Sequence, residues 1–281
     1  MALPALVMFV GFGVVPLLGV LFLSFTTWDG IGVINWAGFR SWKAELTDPG
    51  LPHALWVTFL IIALSWLVQT PMSLLLGTFL AGRQRYRGVL AVLYFIPLLL
   101  SSAALAITYK ALLDPNFGLG SGLGIPLLSQ DWLGQGKLAL GVVVFVVSWQ
   151  YIPFHSLIYQ AGVRQIPVTL YEAAQIDGAG RIRQFFSITL PQLKYTIITS
   201  TTLIVVGSLT FFDLIFVLTA GGPADATRTL ALDMYITGFQ GNEMGTASAI
   251  AMILVLLGLA LALLLQRLGG RDRSASQLEG M

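Results

Sequence analysis

Few side chains in this sequence have the types and spacing that chemistry needs. His155 has no second histidine or carboxylate at helical spacing, so it reads as a structural group and not as a metal ligand. Asp177-Gly178 followed by Arg181 has the outline of an acidic metal motif, but holding two metals needs further aspartates downstream, and the next acid is Asp213. The nucleotide-cradling pattern G-x-x-x-x-G-K-[ST] does not occur. Gly118 to Gly124 is glycine-rich but lacks that spacing and a following lysine, so it reads as a flexible turn. There is no cysteine, hence neither a thiolate site nor a disulfide.

What remains is a set of polar groups inside apolar runs: Gln69, Ser101, Ser102, Trp149, Gln150, Tyr151, His155 and Asp213. A charge at the centre of a membrane helix costs about 2.5 to 3.5 kcal/mol on insertion scales, so Asp213 is a functional candidate unless it pairs with a neighbouring helix or lies near an interface. Trp149 and Tyr151 offer aromatic faces for stacking, and Gln150 can hydrogen-bond hydroxyls. Together with Gln69, Ser101 and Asp213 they form a candidate substrate path. Helix packing and interhelical hydrogen bonds account for the same residues.

The elements that must position these groups are membrane spans. The 281 residues are 56% hydrophobic and 10% charged, with a mean hydropathy of +0.83, far from a soluble composition. The net charge of +2 is too small to imply nucleic acid. Apolar runs exceed the ~20 residues that a helix needs to cross a bilayer, whereas a barrel would show alternating segments of about ten. Six spans are predicted, at residues 3–25, 54–81, 89–112, 138–162, 192–218 and 245–268, forming one all-α polytopic domain over 1–281. The first is too long for a signal peptide and has no basic flank, so it reads as a retained helix.

Arg83, Arg85 and Arg87, then Arg164, Arg181, Arg183 and Lys194, then Arg267, Arg271 and Arg273 fall on one side of such a chain. The other side carries fewer cations and most acids, among them Asp29, Glu45, Asp48, Asp114, Asp131, Asp225 and Glu243. The positive-inside rule makes the first side cytoplasmic, with both termini inside. Outer segments rich in Gly, Pro, Asp and Trp read as ordered loops or short interfacial helices, and the tail from Gly269 as small and polar.

One of the longest polar islands, Arg164 to Pro191, lies inside. Thr169 followed by Glu172 predicts a capping box and a helix from about Leu170. Gly178 stands where a left-handed residue would stop it. A second helix is predicted from Arg181 to Thr189, and Pro191 opens the fifth span. A two-turn helix is not stable alone. Small residues at Ala173, Ala174, Gly178, Ala179 and Gly180 leave its backbone open to close approach by a partner.

Glu172-Ala173-Ala174, Gly178 and Ile188-Thr189-Leu190-Pro191 resemble the signature loop of permease subunits of binding-protein-dependent ABC importers. The stretch from Tyr171 to Pro191 is similar to the carbohydrate-uptake branch, the maltose-type and glycerol-phosphate-type permeases. Pro4-Ala5-Leu6, Leu23-Ser24-Phe25-Thr26, Phe211-Phe212-Asp213, Leu218-Thr219-Ala220-Gly221-Gly222-Pro223 and Gly245-Thr246-Ala247-Ser248-Ala249 agree with it. The chain departs from that branch in having no basic stretch before its first span.

The resemblance implies a MetI-like fold in the bacterial inner membrane. Leu170, Tyr171, Glu172, Ala173, Ala174, Asp177 and Gly178 would form a coupling helix docked on a separate ATPase, with Glu172 at the ATPase-contacting position. It further implies a second permease, two ATPase subunits that hold ATP and Mg²⁺, and an extracytoplasmic solute receptor. The substrate would be a sugar, an oligosaccharide or glycerol phosphate. This chain would bind no cofactor and carry no catalytic residue. Two other readings compete: an ATP-independent six-helix carrier, which would need carboxylates in its spans and has only Asp213, and a membrane phosphatidyl-group transferase, which Asp177-Gly178 and Arg181 resemble without that family's later aspartates.

Overall fold

The computed structural model describes residues 3–82 and 85–270. Arg83, Arg271 and Arg273 of the charge map, and the tail from 271 onward, lie outside the described residues. In hydrocarbon every backbone N–H and C=O must be satisfied within the protein, and the apolar runs accordingly fold as helices. The first is α1, Leu3–Leu23, with one π-turn at Val10–Val14. The next stretch, expected to be loop or short helix, adds an antiparallel pair, β1 Thr26–Thr27 and β2 Asn35–Trp36. It leads to α2, Arg40–Leu46, and then to α3, Leu51–Leu80. Next come α4, Arg85–Leu99, α5, Ser102–Leu112, and the single turn α6, Leu119–Leu123. The central helix α7, Gly136–Gln165, precedes α8, Val168–Ile176.

After α8 the chain forms α9, Arg181–Gln184, which continues through a π-turn at Phe185–Thr189 into α10, Leu190–Gln192. Pro191 therefore sits in this last short turn, and the fifth span begins after it. That span is α11, Lys194–Leu209, followed by α12, Asp213–Thr219. A short α13, Leu230–Tyr235, precedes the final α14, Met244–Gly270.

Among the described residues four helices are each long and apolar enough to cross a bilayer: α1, α3, α7 and α14. The third and fifth predicted spans are broken. The axis turns by 93° between α4 and α5 and by 52° between α11 and α12, so the number of crossings is six where each bent pair counts as one. At the first break Pro97 removes a helical donor. Ser101 is extended there, and its hydroxyl accepts the Ala104 N–H at 3.2 Å, starting a new helix as an N-cap. At the second break, residues 210–212, the Thr210 hydroxyl bonds back to the Gly207 carbonyl at 2.9 Å. The Phe212 ring packs on Phe216 and Tyr235, with centroids 5.4 and 4.6 Å away.

The core lies around α7. Val142, Val143, Val146 and Val147 meet Val57 and Ile61 of α3, Leu105 of α5 and Ile215 of α12. Further along the same two helices, Gly77 of α3 faces Ser156 and Tyr159 of α7. The contacts run in the same order along both chains, so α3 and α7 are parallel. One end of the protein thus carries α2 and residues 220–243, and the other carries α8. At the first end, Gly245 lets α14 press against the Thr26 backbone, where an added Cβ would sit 2.0 Å from its carbonyl oxygen. The Ser41 hydroxyl donates to that same oxygen at 2.8 Å. This contact explains the glycine that opens Gly245-Thr246-Ala247-Ser248-Ala249.

A Cβ at position 77 would lie 2.6 Å from the Ser156 carbonyl and 2.7 Å from the Tyr159 Cβ, backbone-level contacts that cannot rotate away. Gly77→Val should overpack the α3–α7 seam by about 1–3 kcal/mol or more and reduce the monodisperse fraction in detergent size-exclusion chromatography. Gly141→Ala, on α7 with open space around it, should leave that fraction unchanged; equal profiles for the two variants would contradict the packing described.

Candidate functional site

Pro167, extended with φ −58° and ψ 130°, is the N-cap of α8, and no side chain caps that end. The predicted capping box therefore does not form. The helix starts at Val168, two residues earlier than expected, which moves Thr169 inside the first turn. The proline supplies the extended entry that the hydroxyl was expected to supply. The C-terminal reading is met: Gly178 has φ +75°, its N–H reaches the Gln175 carbonyl at 3.0 Å, and the Ala179 N–H reaches Ala174 at 2.8 Å. This is the paired pattern of a Schellman stop. The Gln184 amide then ties α9 back to the Ala179 carbonyl at 2.7 Å.

One side of α8 is anchored. The Tyr171 ring joins Leu74, Tyr159, Ile166 and Leu193 in a cluster between the ends of α3, α7 and α11, and its hydroxyl bonds to Thr189 at 2.9 Å. The rest of α8 has no buried residue. Ile176 is 88% exposed and Ile182 of α9 is 77% exposed, with Val168, Leu170 and Phe186 also open. Glu172 and Asp177 are exposed beside them, and among the described residues neither forms an ion pair. An anchored helix thus presents an uncovered apolar and acidic face, with Ala173 and Ala174 keeping its profile low.

At mid-height the path candidates gather on α7 against the two breaks. The Gln150 amide donates to the Leu100 carbonyl at 3.2 Å and to the Ser102 hydroxyl at 3.3 Å, satisfying a backbone group that the first break sets free. The next residue, Tyr151, packs on Phe211 of the second break at 5.4 Å. Trp149 meets Tyr109 edge-on at 5.7 Å and is 37% exposed. Asp213, expected deep in the fifth span, instead starts α12 and is exposed. Gln69 stands apart. It is 1% exposed on α3, and among the described residues its amide nitrogen has no partner. His155 bonds to Ser200 at 3.0 Å across the α7–α11 seam, a structural role.

Sequence reading missed a second polar cluster at the end opposite α8. Arg228 donates from Nε to Asp233 at 2.8 Å and lies 3.5 Å from Asp225. Glu45 of α2 is buried nearby, and among the described residues its Oε1 has no hydrogen-bond partner. Burial, followed by the nearby Asp233 and Asp48 charges, pushes its carboxyl up to about 7 against the opposing pull of Arg228. Only the long-range closure of α2 onto residues 225–243 creates this site, so no local spacing announces it.

Residues 69–273 match the family model described as a binding-protein-dependent transport system inner membrane component. A probable ABC transporter permease protein, YurN of Bacillus subtilis, is 32% identical, with 93% of this chain and 91% of the relative covered. The trehalose/maltose transport system permease protein MalF of Thermococcus litoralis is 31% identical over 96% of this chain and 92% of its own. Among solved structures, a permease chain from a bacterial alginate ABC transporter in complex with an alginate pentasaccharide-bound periplasmic protein superposes with a TM-score of 0.82. It is 23% identical, with 96% of this chain and 93% of that one covered.

Tyr171→Phe removes only the Thr189 bond, worth about 0.5–1.5 kcal/mol, whereas Tyr171→Ala also removes a half-buried ring from its cluster, a larger loss. Limited proteolysis of the chain in detergent should therefore cut within residues 168–180 much faster in the alanine variant and nearly as in wild type in the phenylalanine variant. Equal rates for all three would mean that Tyr171 does not anchor α8.

Proposed function

Because the chain belongs to the family of binding-protein-dependent transport system inner membrane components, we propose that it is the membrane-spanning subunit of an ATP-driven importer, forming half of a translocation path for a sugar or oligosaccharide. The carbohydrate class rests on the trehalose/maltose relative and on the aromatic and amide groups of α7. Glycerol phosphate is the runner-up within the class that the signature loop resembles.

One observation carries the coupling reading: α8 is held by Tyr171 to the ends of three long helices while its other face, around Ile176, is bare. A nine-residue helix with uncovered apolar side chains fits a groove on a separate subunit. We assign that groove to an ATPase, which would hold ATP and Mg²⁺, since this sequence has no phosphate-binding loop of its own. Two ATPases would serve this chain and a second permease, a heterodimer in our reading, that covers its exposed apolar flanks. The arginine-rich side is cytoplasmic in this scheme, both termini are inside, and a solute receptor docks at the opposite end.

Closure of the ATPase pair would push on α8. Tyr171 would pass that displacement to α3, α7 and α11, and the breaks at Leu100-Ser101 and 210–212 would serve as hinges. Trp149 and Tyr151 beside these hinges, with Ser101 and Asp213, would meet solute as the helices reorient. Gln150 would hold the first hinge through the Leu100 carbonyl, and Gln69, buried on α3, would complete the polar lining. No residue here makes or breaks a bond of the substrate.

Glu172→Lys should leave membrane insertion intact while lowering solute uptake and receptor-stimulated ATP hydrolysis in proteoliposomes. Gly178→Leu should do the same, because its left-handed backbone strains any bulky residue by about 1–2 kcal/mol. Wild-type transport in both variants would remove the coupling assignment, and transport that persists without any ATPase would favour an ATP-independent carrier.

A further inference from the structure

At the end opposite α8, an open cleft of about 880 Å³ lies between α2, the start of α3 and residues 224–246. Its charged lining is lopsided. Arg228 is committed to Asp233 and Asp225. From α2 and the turn after it come Glu45 and Asp48, and from the segment before α14 comes Glu243. Among the described residues none of these three carboxyls has an ion-pair partner. His53 of α3 also lines the cleft, and its ring Nε2 is held 3.0 Å from the Asp225 carbonyl. Glu45 is the unusual member: 4% exposed, lining the cleft, with a buried oxygen that no donor reaches. A carboxyl in that position lacks a positive hydrogen-bond donor.

We propose that this cleft is a socket for one cationic side chain, a lysine ammonium or an arginine guanidinium, presented by the solute receptor when it docks, with Glu45 as the buried counter-charge. The assignment rests on the importer reading above, which places a receptor on this face. A divalent metal fits less well, because among the described residues no three His, Asp or Glu side chains are grouped to ligate one. A side chain delivered by a docking protein supplies one charge and several N–H donors, which matches one buried unpaired carboxyl flanked by Asp48 and Glu243.

The seating step involves a proton. With its carboxyl at about 7, Glu45 is largely neutral below neutrality. A cation entering the socket favours the carboxylate, so the proton leaves Glu45 for bulk water as the ion pair forms. Docking is then opposed by protons at low pH, and the dependence fades only about one unit above the carboxyl's own value. The Lys or Arg that enters stays charged throughout this range.

The test measures binding of the purified solute receptor to the assembled importer in nanodiscs, by calorimetry in two buffers of different ionisation enthalpy. Wild type should bind about tenfold more tightly at pH 8 than at pH 6 and release part of a proton at pH 7. E45Q keeps the shape of the neutral acid, so it should fold normally, bind about tenfold or more weakly at pH 8, and show neither the pH slope nor the proton release. H53Q should retain both. Replacing the receptor's lysines and arginines singly by methionine should find one whose loss is not additive with E45Q.

If E45Q binds with wild-type affinity and pH slope, or H53Q alone abolishes the slope, the socket assignment is wrong while the importer reading stands. If no receptor binds the wild-type assembly, the importer reading itself fails. Free arginine amide is the remaining arm: binding of it alone in an E45Q-sensitive way, with receptor affinity unmoved by E45Q, would assign the cleft to a free cation and overturn the proposal.

Discussion

The structure depends on one constraint: backbone polar groups inside a bilayer must find partners within the protein. Unbroken helical turns meet it by themselves, and α3 and α7 run over 30 residues each, although Pro71 and Pro153 inside them each remove one helical N–H. The breaks at Leu100-Ser101 and 210–212 do not, and the polar side chains near them answer the deficit. Gln150 bonds the Leu100 carbonyl, the Ser101 hydroxyl takes the Ala104 N–H, and Thr210 returns to Gly207. Polar residues in apolar runs therefore mark bends first. Gln150 and Tyr151 of α7 are the residues that meet the two bends, one at Leu100 and the other at Phe211.

The same logic separates the two ends of the molecule. At one end Tyr171 ties a short helix to three long ones, and the rest of that helix is left bare. A helix of this length persists only with packing on it, so the half that Tyr171 does not cover is the half a partner would use. At the other end the loops close on themselves, with Gly245 on the Thr26 backbone and Leu230 N–H on the Thr58 hydroxyl at 2.9 Å. That closure buries Glu45 without giving it a partner. One end offers apolar surface and the other an unmatched charge, which suits two different kinds of contact.

Much of this was legible in the sequence. Hydropathy placed the helices, and Gly178 announced its left-handed stop because few other residues adopt that backbone freely. Thr169 and Glu172 misled, since a proline two residues earlier already provided an extended entry and α8 began there. The third and fifth spans looked continuous, because hydropathy averages over about twenty residues while a break occupies two or three. Pro97 and Ser101 were the available local signals for the first. The cluster of Glu45, Arg228 and Asp233 joins residues nearly two hundred positions apart, and no periodicity reports such a contact.

The central claim, that α8 is a docking element for a separate subunit, is tested most directly at Ile176. The chain contains no cysteine, so Ile176→Cys places a single reactive thiol on the bare face, where the native side chain is 88% exposed. The rate of its reaction with a water-soluble maleimide should be fast in the isolated chain and strongly suppressed in the complex assembled with the proposed ATPase, with the degree of protection changing when ATP binds. An identical rate in the isolated chain and the assembled complex would contradict the account.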